Sequence, residues 1–543
     1  MKQLFICLCA FFCLLMTASA QDNTYQNEHF SVQLPFGWTN NSTEMLAHAN
    51  DAQTGTQFYA LIALSIDDAI NTIGIVAETP METITIQLPT GEWIQNTYIT
   101  DDTVTIVWSK QVDVNTHVMI ASAPLSVAEA VAPTIQATIA TYQIAGHEPQ
   151  VPLREPIIYP QPSGDYSIGR LAYFWTDNTR AEIYTPNPDD MRELAITVWY
   201  PIDPVDDLPV GRWMSPELAA AYAQIQGVTV DEINAIQVNA FVQEPLAGNA
   251  ERFPVLIMSH GDGLLPAFYT SYAENLASHG YVVFGVAHPY NATVTPYPDG
   301  RVATAIPEAS AQPEQISPTD SPLDIAQAID TQGRNVVAIH AADLRFVLDQ
   351  MTQLNVDDPR FAGRLDLERI GVFGHSLGGA TAIETLLQDS RVDSAANLDG
   401  TVFSDVSAGS TRPTMTIATG YVDATDVSDA TLVEMGLSRE VFTEIMAITN
   451  RARTLYLQSP QAFFVTIEGT QHNNFSDVGL LEPIFPTSNF ALGEIEPRYA
   501  LQIAGAYLVT FFDQTLRDEP FTMGELTGPY PESTLEMSLA SDQ

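Results

Sequence analysis

Cysteine is almost absent from the sequence: the three cysteines, Cys7, Cys9 and Cys13, all lie near its start. The remaining chain has no thiol, which excludes disulfide bonds, a cysteine nucleophile and thiolate metal sites there. The sequence also lacks clusters with metal-ligand spacing, a phosphate-binding loop and a dinucleotide motif. We therefore expect neither a metal ion nor a cofactor.

The cysteines belong to a segment with the pattern of a signal peptide. Lys2 is followed by an apolar run over residues 4–16 and by a small-residue cleavage site, Ala-Ser-Ala, that ends at Ala20. We therefore expect residues 1–20 to be a signal peptide and the protein to be exported. Because an exported chain without disulfides suggests a bacterial source, we expect a periplasmic or extracellular bacterial protein.

Basic residues are scarce as well. The sequence has 21 lysines and arginines against 66 acidic residues, for a formal net charge of −45, and its only lysines are Lys2 and Lys110. A surface with this charge repels nucleic acids and anionic membranes, so we expect no nucleic-acid partner. After residue 20, no stretch reaches about 18 apolar residues, the length that indicates a membrane-spanning helix, so no transmembrane segment is expected.

The length of 543 residues predicts more than one domain. Residues 21–147 contain short strands of alternating polarity and then a helical pattern, which predicts a small α+β domain. Residues 148–164 are rich in proline and are predicted to be a semi-rigid linker. Residues 165–520 alternate strands with helices, which predicts an α/β domain with a mostly parallel sheet. Residues 521–543 are expected to form a C-terminal tail.

Three polar segments interrupt the pattern of the larger domain. Residues 208–250 and 422–458 are predicted to be helical insertions near the functional site. Residues 298–330, rich in proline, serine, aspartate and glutamine, are predicted to be a long loop on the same side.

The sequence Gly-His-Ser-Leu-Gly at residues 374–378 matches the G-x-S-x-G pattern of a nucleophile elbow. It follows an apolar strand pattern at 369–373 and precedes a helical pattern at 380–387, the context that such an elbow needs. Small residues two before and two after the serine leave room for a strained backbone. The motif therefore predicts Ser376 as a nucleophile and the Leu377 N–H as an oxyanion donor.

A serine nucleophile needs a histidine base and an acid that orients the base. In hydrolases with this elbow the order along the chain is serine, acid, histidine. His472 is the only histidine after Ser376, so we predict it as the base. The acid has two candidates: Asp399 ends the strand pattern after the elbow helix, and Asp423 follows the next strand pattern.

The second oxyanion donor is expected from a loop after an earlier strand. A buried strand pattern at 254–258 ends in the loop 259–263, and we predict the N–H of Asp262 as this donor. Because a carboxylate facing the site would repel the oxyanion, we expect the Asp262 side chain to point away. His260 is expected to orient this loop and not to transfer protons.

From about residue 164 to 518, the chain resembles the plasma-type platelet-activating factor acetylhydrolases and their bacterial relatives. The most specific block is the pattern Gly-x-x-His-x-Asn-Phe-x-Asp around His472. The blocks that carry the resemblance are residues 254–263, 276–281, 374–381, 398–400 and 469–477. The resemblance implies an α/β-hydrolase fold and a serine esterase. Because the acid of that family follows the strand after the elbow helix, it also selects Asp399 over Asp423.

The chain departs from the family pattern at Asp262, where the family usually has an apolar residue, and in the two long helical insertions. A second resemblance lies at residues 30–38, Phe-Ser-Val-Gln-Leu-Pro-Phe-Gly-Trp, which with the closing helix are similar to PsbP-like domains. The histidines of this N-terminal domain are scattered, so we expect no catalytic set in it.

These observations predict an exported serine carboxylic-ester hydrolase that acts through an acyl-enzyme. The family resemblance implies short-acyl phospholipids or small esters as substrates. Two alternatives stay open: a polyester or cutinase-like esterase, which shares the elbow, and a hydrolase-fold binding protein with a catalytically dead site. The intact order of Ser376, Asp399 and His472 favours an enzyme.

Overall fold

The computed structural model describes residues 24–539 with gaps at residues 28, 36–37, 44, 53, 64, 74–79, 89, 101, 113–114, 146–156, 206–210, 227, 243, 249, 314–320, 422–426, 435–436, 482–483, 485–491, 518 and 521. The predicted signal peptide lies outside the described residues. The chain divides into two compact units, of which one includes Pro156–Ala219 and Asn234–Gln543 and the other Ala18–Glu155 and Ala220–Ile233. None of the described helices is long and apolar enough to cross a membrane.

The N-terminal part is built mainly from antiparallel strands. Its described elements are β1 (Thr24–Gln26), β2 (Phe30–Gln33), β3 (Thr39–Asn40), β4 (Leu46–Asn50), β5 (Gln57–Ala63), α1 (Ile66–Ile73), β6 (Glu82–Leu88), β7 (Gly91–Ile99), β8 (Thr103–Val112), β9 (Asn115–Pro124), α2 (Ala128–Ala140) and β10 (Gln143–Ile144). One sheet has the order β3-β4-β5-β9-β8-β7-β6 and a smaller one the order β1-β2-β10. Phe30, Trp93, Trp108 and Tyr142 are in its core, and the predicted small α+β domain is confirmed.

The larger unit contains the elements that carry the elbow. Its described strands are β11 (Ser167–Ala181), β12 (Met191–Ile202), β13 (Ala240–Val242), β14 (Phe253–Ser259), β15 (Val282–Ala287), β16 (Val294–Pro296), β17 (Val302–Thr304), β18 (Leu365–His375), β19 (Ser394–Leu398), β20 (Thr414–Ala418), β21 (Gln461–Ile467) and β22 (Ser533–Leu539). Two helices, α3 (Pro216–Gln226) and α4 (Val230–Asn234), lie mostly in the segment Ala220–Ile233 that is assigned to the other unit. The described helices of the larger unit are α5 (Thr270–Ser278), α6 (Pro322–Asp357), α7 (Leu377–Gln388), α8 (Asp429–Glu434), α9 (Arg439–Thr449), α10 (Arg451–Gln458) and α11 (Pro497–Leu516).

The large sheet has the strand order β13-β11-β12-β15-β14-β18-β19-β20-β21-β22. Neighbouring strands from β15 to β21 are parallel, and β12 and β22 pair antiparallel at the two ends of this parallel region. Every residue of β14, β15, β19 and β20 is buried, as expected for parallel strands covered on both faces. The predicted mostly parallel sheet and α/β-hydrolase fold are therefore confirmed.

Helices cover both faces of this sheet. Within β18, Ile370 and Val372 belong to a core that includes Leu344 of α6. Gly371 between them faces the other way, where an added Cβ would lie 2.6 Å from the ring of Phe512 in α11. Because successive strand residues point to opposite faces, α6 and α11 lie on opposite sides of the sheet. In such open α/β sheets, sites form at the carboxyl ends of the strands.

Two sequence expectations about boundaries are wrong. The segment 208–250 is not purely helical, because β13 at its end pairs in parallel with β11 and extends the sheet. The loop predicted at 298–330 is shorter, because β16 and β17 form a hairpin and α6 begins at Pro322. Ser321 caps α6 by accepting the N–H of Asp324, a start signal that the sequence contains.

The ends of the predicted catalytic domain also differ from the sequence expectation. Ile157 and Tyr159, placed in the predicted linker, are buried, and Ile158 forms a bridge with Gln237. The predicted tail 521–543 contains β22, which pairs antiparallel with β21. The sequence predicted a linker and a tail here, because the partners of both segments, Gln237 and β21, lie far away in the chain.

Deletion of residues 529–543 is expected to lower the thermal stability. It removes β22, which pairs with β21 from Gln461–Leu539 to Ile467–Ser533, and so leaves a new unpaired sheet edge. We expect the apparent melting temperature, measured by circular dichroism, to fall by about 5 °C or more. A control that lacks only residues 540–543 keeps β22 and should melt like the parent. An unchanged melting temperature after the longer deletion would support the tail predicted from sequence.

Candidate active site

Ser376 lies between β18 and α7, in the sharp turn that the sequence predicts. Its backbone has φ 57° and ψ −123°, an unusual conformation for a residue with a side chain. Neighbouring glycines make the turn possible. A Cβ on Gly378 would lie 2.1 Å from the carbonyl oxygen of Ser259, and one on Gly374 would lie 2.4 Å from the carbonyl carbon of Gly378. The turn therefore holds the serine at the carboxyl end of the sheet.

Three side chains from separate loops form a chain of hydrogen bonds. The hydroxyl oxygen of Ser376 is 2.9 Å from Nε2 of His472, and Nδ1 of His472 is 2.8 Å from Oδ2 of Asp399. Because a carboxylate can only accept, Nδ1 carries a proton and donates it to Asp399. Nε2 is then free to accept the proton of the serine hydroxyl. The structure thus brings the three predicted residues together in the predicted order.

Asp399 lies in a second strained turn, with φ 51°. Its Oδ1 accepts the N–H of Thr419 at 3.0 Å, while Oδ2 faces His472. The side chain of Asn397 fixes the turn, since its amide nitrogen donates to the carbonyl of Gly400 at 3.0 Å and its oxygen accepts the Gly400 N–H at 2.9 Å. The carboxylate is therefore held in position from both sides.

The two backbone N–H groups predicted as oxyanion donors belong to Leu377 and Asp262, both close in the chain to residues at the Ser376 turn. Leu377 is the first residue of α7, where a helix leaves its N–H groups without an intrahelical acceptor. Asp262 follows Gly261, at which a Cβ would lie 3.3 Å from the Cβ of Ser376, so this loop closely approaches the serine. Within the described part of the chain, the N–H of Asp262 has no acceptor. Both groups can donate to the oxygen of a bound carbonyl.

The Asp262 carboxylate points away from the serine, toward the segment after β15. Oδ1 accepts the side-chain amide of Asn291, and Oδ2 accepts the hydroxyl of Ser310 at 2.7 Å and the N–H of Ala311 at 3.0 Å. Burial raises the pKa of this carboxyl group, although the three hydrogen bonds oppose that shift. Asp262 therefore ties the loop 259–263, called the oxyanion loop below, to a neighbouring loop.

A buried polar network lies beneath the oxyanion loop. Nδ1 of His260 donates to the carbonyl of Gly261 at 2.8 Å, and Nε2 accepts the N–H of His288 at 3.0 Å. Burial and the adjacent His288 lower the pKa of His260 to about 3, so it stays neutral. His288 donates to Asp343 at 2.9 Å, and Arg192 pairs with the same carboxylate at 2.7 Å. Burial alone would raise the pKa of Asp343, but these partners hold it well below its usual range.

The loop that carries His472 is fixed by the other residues of its motif. The side-chain oxygen of Asn474 accepts the N–H of Gly493 at 2.7 Å. Asp477 is fully buried, and its Oδ2 accepts the N–H of Ser271 at 3.1 Å. Burial raises the pKa of Asp477 to about 8, so this carboxyl group is mostly protonated at neutral pH. The motif therefore supplies both the histidine and the anchors of its loop.

Sequence reasoning assigned no role to three buried residues beside the site: Asn397, Tyr269 and His375. Asn397 and His375 lie next to predicted residues, so position in a motif was an available signal. Tyr269 had no such signal, because its contacts come from distant parts of the chain. Among the described residues, no group of three or more His, Cys, Asp and Glu side chains converges to hold a metal ion.

Comparisons with known proteins identify what this chain resembles. A family model described as "Platelet-activating factor acetylhydrolase, isoform II" matches residues 158–526. A platelet-activating factor acetylhydrolase of Cavia porcellus is 22% identical over 333 residues, which cover 59% of this chain and 68% of that protein. A probable 1-alkyl-2-acetylglycerophosphocholine esterase of Arthroderma benhamiae is 25% identical over 262 residues, which cover 46% of this chain and 60% of that protein.

Among solved structures, a ferulic acid esterase from Streptomyces cinnamoneus superposes with a TM-score of 0.53 at 25% sequence identity. The match covers 70% of this chain and 98% of that esterase. These proteins are named as an acetylhydrolase and as esterases, and the family model covers the part of the chain that carries the Ser376 turn.

The two acid candidates can be separated by parallel substitutions. Asp423 lies outside the described residues, whereas Asp399 accepts the Nδ1 proton of His472. Asp399→Asn keeps the shape of the side chain but favours the wrong histidine tautomer, which cost about 10⁴-fold in kcat in a well-studied triad. We expect a loss of this order in ester-hydrolysis kinetics, with KM little changed. Asp423→Asn is the matched control and should stay within about tenfold of the parent. The reverse result would reassign the acid.

Proposed function

The chain is a carboxylic-ester hydrolase of the platelet-activating factor acetylhydrolase, isoform II family, and we propose that it acts through an acyl-enzyme on Ser376. The observation that carries this proposal is the hydrogen-bond chain from Ser376 through His472 to Asp399, with distances of 2.9 and 2.8 Å. A serine in a strained strand-to-helix turn is the position that a nucleophile needs in this fold.

The first half of the reaction forms the acyl-enzyme. Nε2 of His472 takes the proton of the Ser376 hydroxyl as the oxygen attacks the ester carbonyl carbon. The negative charge that develops on the carbonyl oxygen is stabilised by the N–H groups of Leu377 and Asp262. The tetrahedral intermediate then collapses, the bond to the alcohol breaks, and His472 returns its proton to the leaving alkoxide.

The second half releases the acid. A water molecule gives a proton to Nε2 of His472 and attacks the acyl carbon, and the Ser376 oxygen leaves and recovers the proton. Asp399 accepts the hydrogen bond from Nδ1 and stabilises the imidazolium that forms in each half-reaction. Its hydrogen bond from Thr419 keeps the accepting oxygen Oδ2 directed at Nδ1.

The substrate class that family membership supports best is a short-acyl phospholipid or a small soluble ester. A second candidate is an aryl ester such as a feruloyl ester, because the structural neighbour named as a ferulic acid esterase aligns over 98% of its own length. We also propose that the protein is exported, on the basis of the signal-peptide pattern at residues 1–20. The extreme negative charge favours a diffusible enzyme over one held on an anionic membrane.

Substitution of the nucleophile tests the acyl-enzyme proposal. Ser376→Ala removes the hydroxyl that forms the covalent bond, so kcat for p-nitrophenyl acetate should fall by about 10⁴-fold or more. The circular dichroism spectrum should remain that of the parent, because alanine fits the same turn. Ser407→Ala, at an exposed serine of the same unit, is the control and should keep full activity. Full turnover by Ser376→Ala would refute the assignment.

The substrate classes separate in a direct comparison of kcat/KM. The esters compared are an acetyl phospholipid, its long-chain analogue, a methyl feruloyl ester and a solid polyester film. We expect the acetyl phospholipid to be turned over at least tenfold more efficiently than its long-chain analogue and the feruloyl ester. Preference for the feruloyl ester would favour the aryl-ester alternative, and erosion of the film would favour a cutinase-like enzyme.

A further inference from the structure

Two buried residues without a step in the proposed reaction, Tyr269 and His375, lie between the loop 259–263 and His472. Tyr269 ends the 3-10 helix Pro266–Tyr269, and His375 ends β18 immediately before Ser376. Their exposed fractions are 1% and 2%. Among the described residues, neither side chain is hydrogen-bonded to the Ser376 hydroxyl, the His472 ring or the Asp399 carboxylate, so any role in the reaction must act through other groups.

A continuous chain of hydrogen bonds runs through both side chains. The N–H of Gly261 is 2.9 Å from the hydroxyl oxygen of Tyr269, which is 2.9 Å from Nδ1 of His375. At its other end, Nε2 of His375 is 2.9 Å from the carbonyl oxygen of His472. The chain therefore begins in the oxyanion loop and ends on the backbone of the proposed base.

The donors and acceptors in this chain can be assigned. The carbonyl of His472 can only accept, so Nε2 of His375 carries a proton. Burial and the neighbouring His472 lower the pKa of His375 well below its usual value, so the ring is neutral and Nδ1 is an acceptor. The hydroxyl of Tyr269 stays protonated, because burial raises its pKa. It must donate to Nδ1 of His375, which leaves its oxygen to accept the N–H of Gly261.

Each end of the chain fixes a group that the proposed reaction needs. Gly261 immediately precedes Asp262, so the hydrogen bond from the Gly261 N–H to Tyr269 restricts the backbone next to the Asp262 N–H. At the other end, the anchored carbonyl of His472 limits movement of the residue that must face Ser376. The ring centroids of His375 and His472 are 4.6 Å apart, so the two side chains also contact each other.

We propose that Tyr269 and His375 are positioning residues that form one hydrogen-bond relay. This relay holds the oxyanion loop and the base, His472, in fixed positions relative to Ser376. This inference rests on the proposed function, since it assigns both residues to the same reaction. The relay matters most in the transition state, where the oxyanion donor and the base must act together. Its loss should therefore lower kcat and leave KM nearly unchanged.

Tyr269→Phe is the most direct test, because it removes one oxygen and keeps the ring. The Gly261 N–H and Nδ1 of His375 both lose their partner. We expect kcat for p-nitrophenyl acetate to fall by about 10- to 100-fold, somewhat less than the loss of an oxyanion donor itself, with KM within about twofold of the parent. Tyr272→Phe is the matched control: Tyr272 is equally buried, and its hydroxyl has no hydrogen-bond partner among the described residues.

Substitutions of His375 test whether the relay acts as a unit. His375→Gln keeps an amide donor near the position of Nε2, whereas His375→Leu removes both nitrogens. We expect His375→Gln to retain at least about tenfold more of the parental kcat than His375→Leu. The double variant Tyr269→Phe/His375→Leu should be no slower than His375→Leu alone, because residues that act as one unit are not additive. All variants should be compared at a temperature where circular dichroism shows them folded.

The outcomes distinguish failure of the relay from failure of the proposed function. Loss of kcat in Tyr269→Phe but not in Tyr272→Phe, with partial rescue by glutamine, supports the relay. Parental kinetics of Tyr269→Phe in an enzyme that depends on Ser376 would overturn it, as would additive losses in the double variant. An equal loss in both tyrosine variants would indicate a structural role only. Turnover that does not depend on Ser376 would instead refute the proposed function.

Discussion

The central constraint of the site is the backbone of Ser376, held at φ 57° by the close approach of three chain segments. Gly374 and Gly378 leave no space for a side chain against the carbonyl of Ser259. An added Cβ on Gly400 would lie 2.3 Å from the carbonyl oxygen of Ser376. The strained backbone of Ser376 therefore lies in a region where β14, β18 and β19 are packed on both faces. The many contacts of this buried sheet keep the backbone in its unfavourable conformation.

The rest of the constellation follows from that turn and the strand order. β14, β18 and β19 are neighbours in the sheet, so the oxyanion loop, the nucleophile and the acid turn all emerge at the same edge. β21 lies further along but still ends on that side, and it leads into the loop of His472. Each loop is then locked by its own polar residue: Asp262, Asn397 and Asn474. The reacting groups are thus positioned by several loops and strands, as expected for a site whose activity depends on their orientation.

The sequence was most informative where chemistry is local. The elbow around Ser376 requires glycines at fixed spacing, and His472 is the only histidine that follows this serine in the chain. The structure places the two side chains within hydrogen-bond distance. The choice of Asp399 needed the family resemblance, because spacing alone left Asp423 open. The sequence did not predict β13 and β22, since short edge strands are defined by partners far away in the chain. It also did not assign roles to Tyr269 and His375, because a buried tyrosine or histidine looks like an ordinary core residue until its partners are known.

The proposed reaction depends on a covalent bond to the Ser376 oxygen, and mass spectrometry can observe a bond to that oxygen directly. The active protein is treated with a fluorophosphonate ester, digested with trypsin and analysed by tandem mass spectrometry. Cleavage at Arg369 and Arg391 gives a peptide of residues 370–391 that contains both Ser376 and Ser390, so fragmentation must assign the adduct. We expect one adduct, on Ser376, that appears as activity is lost. Full loss of activity with an adduct on another residue, or persistent activity with Ser376 fully labelled, would contradict the proposed reaction.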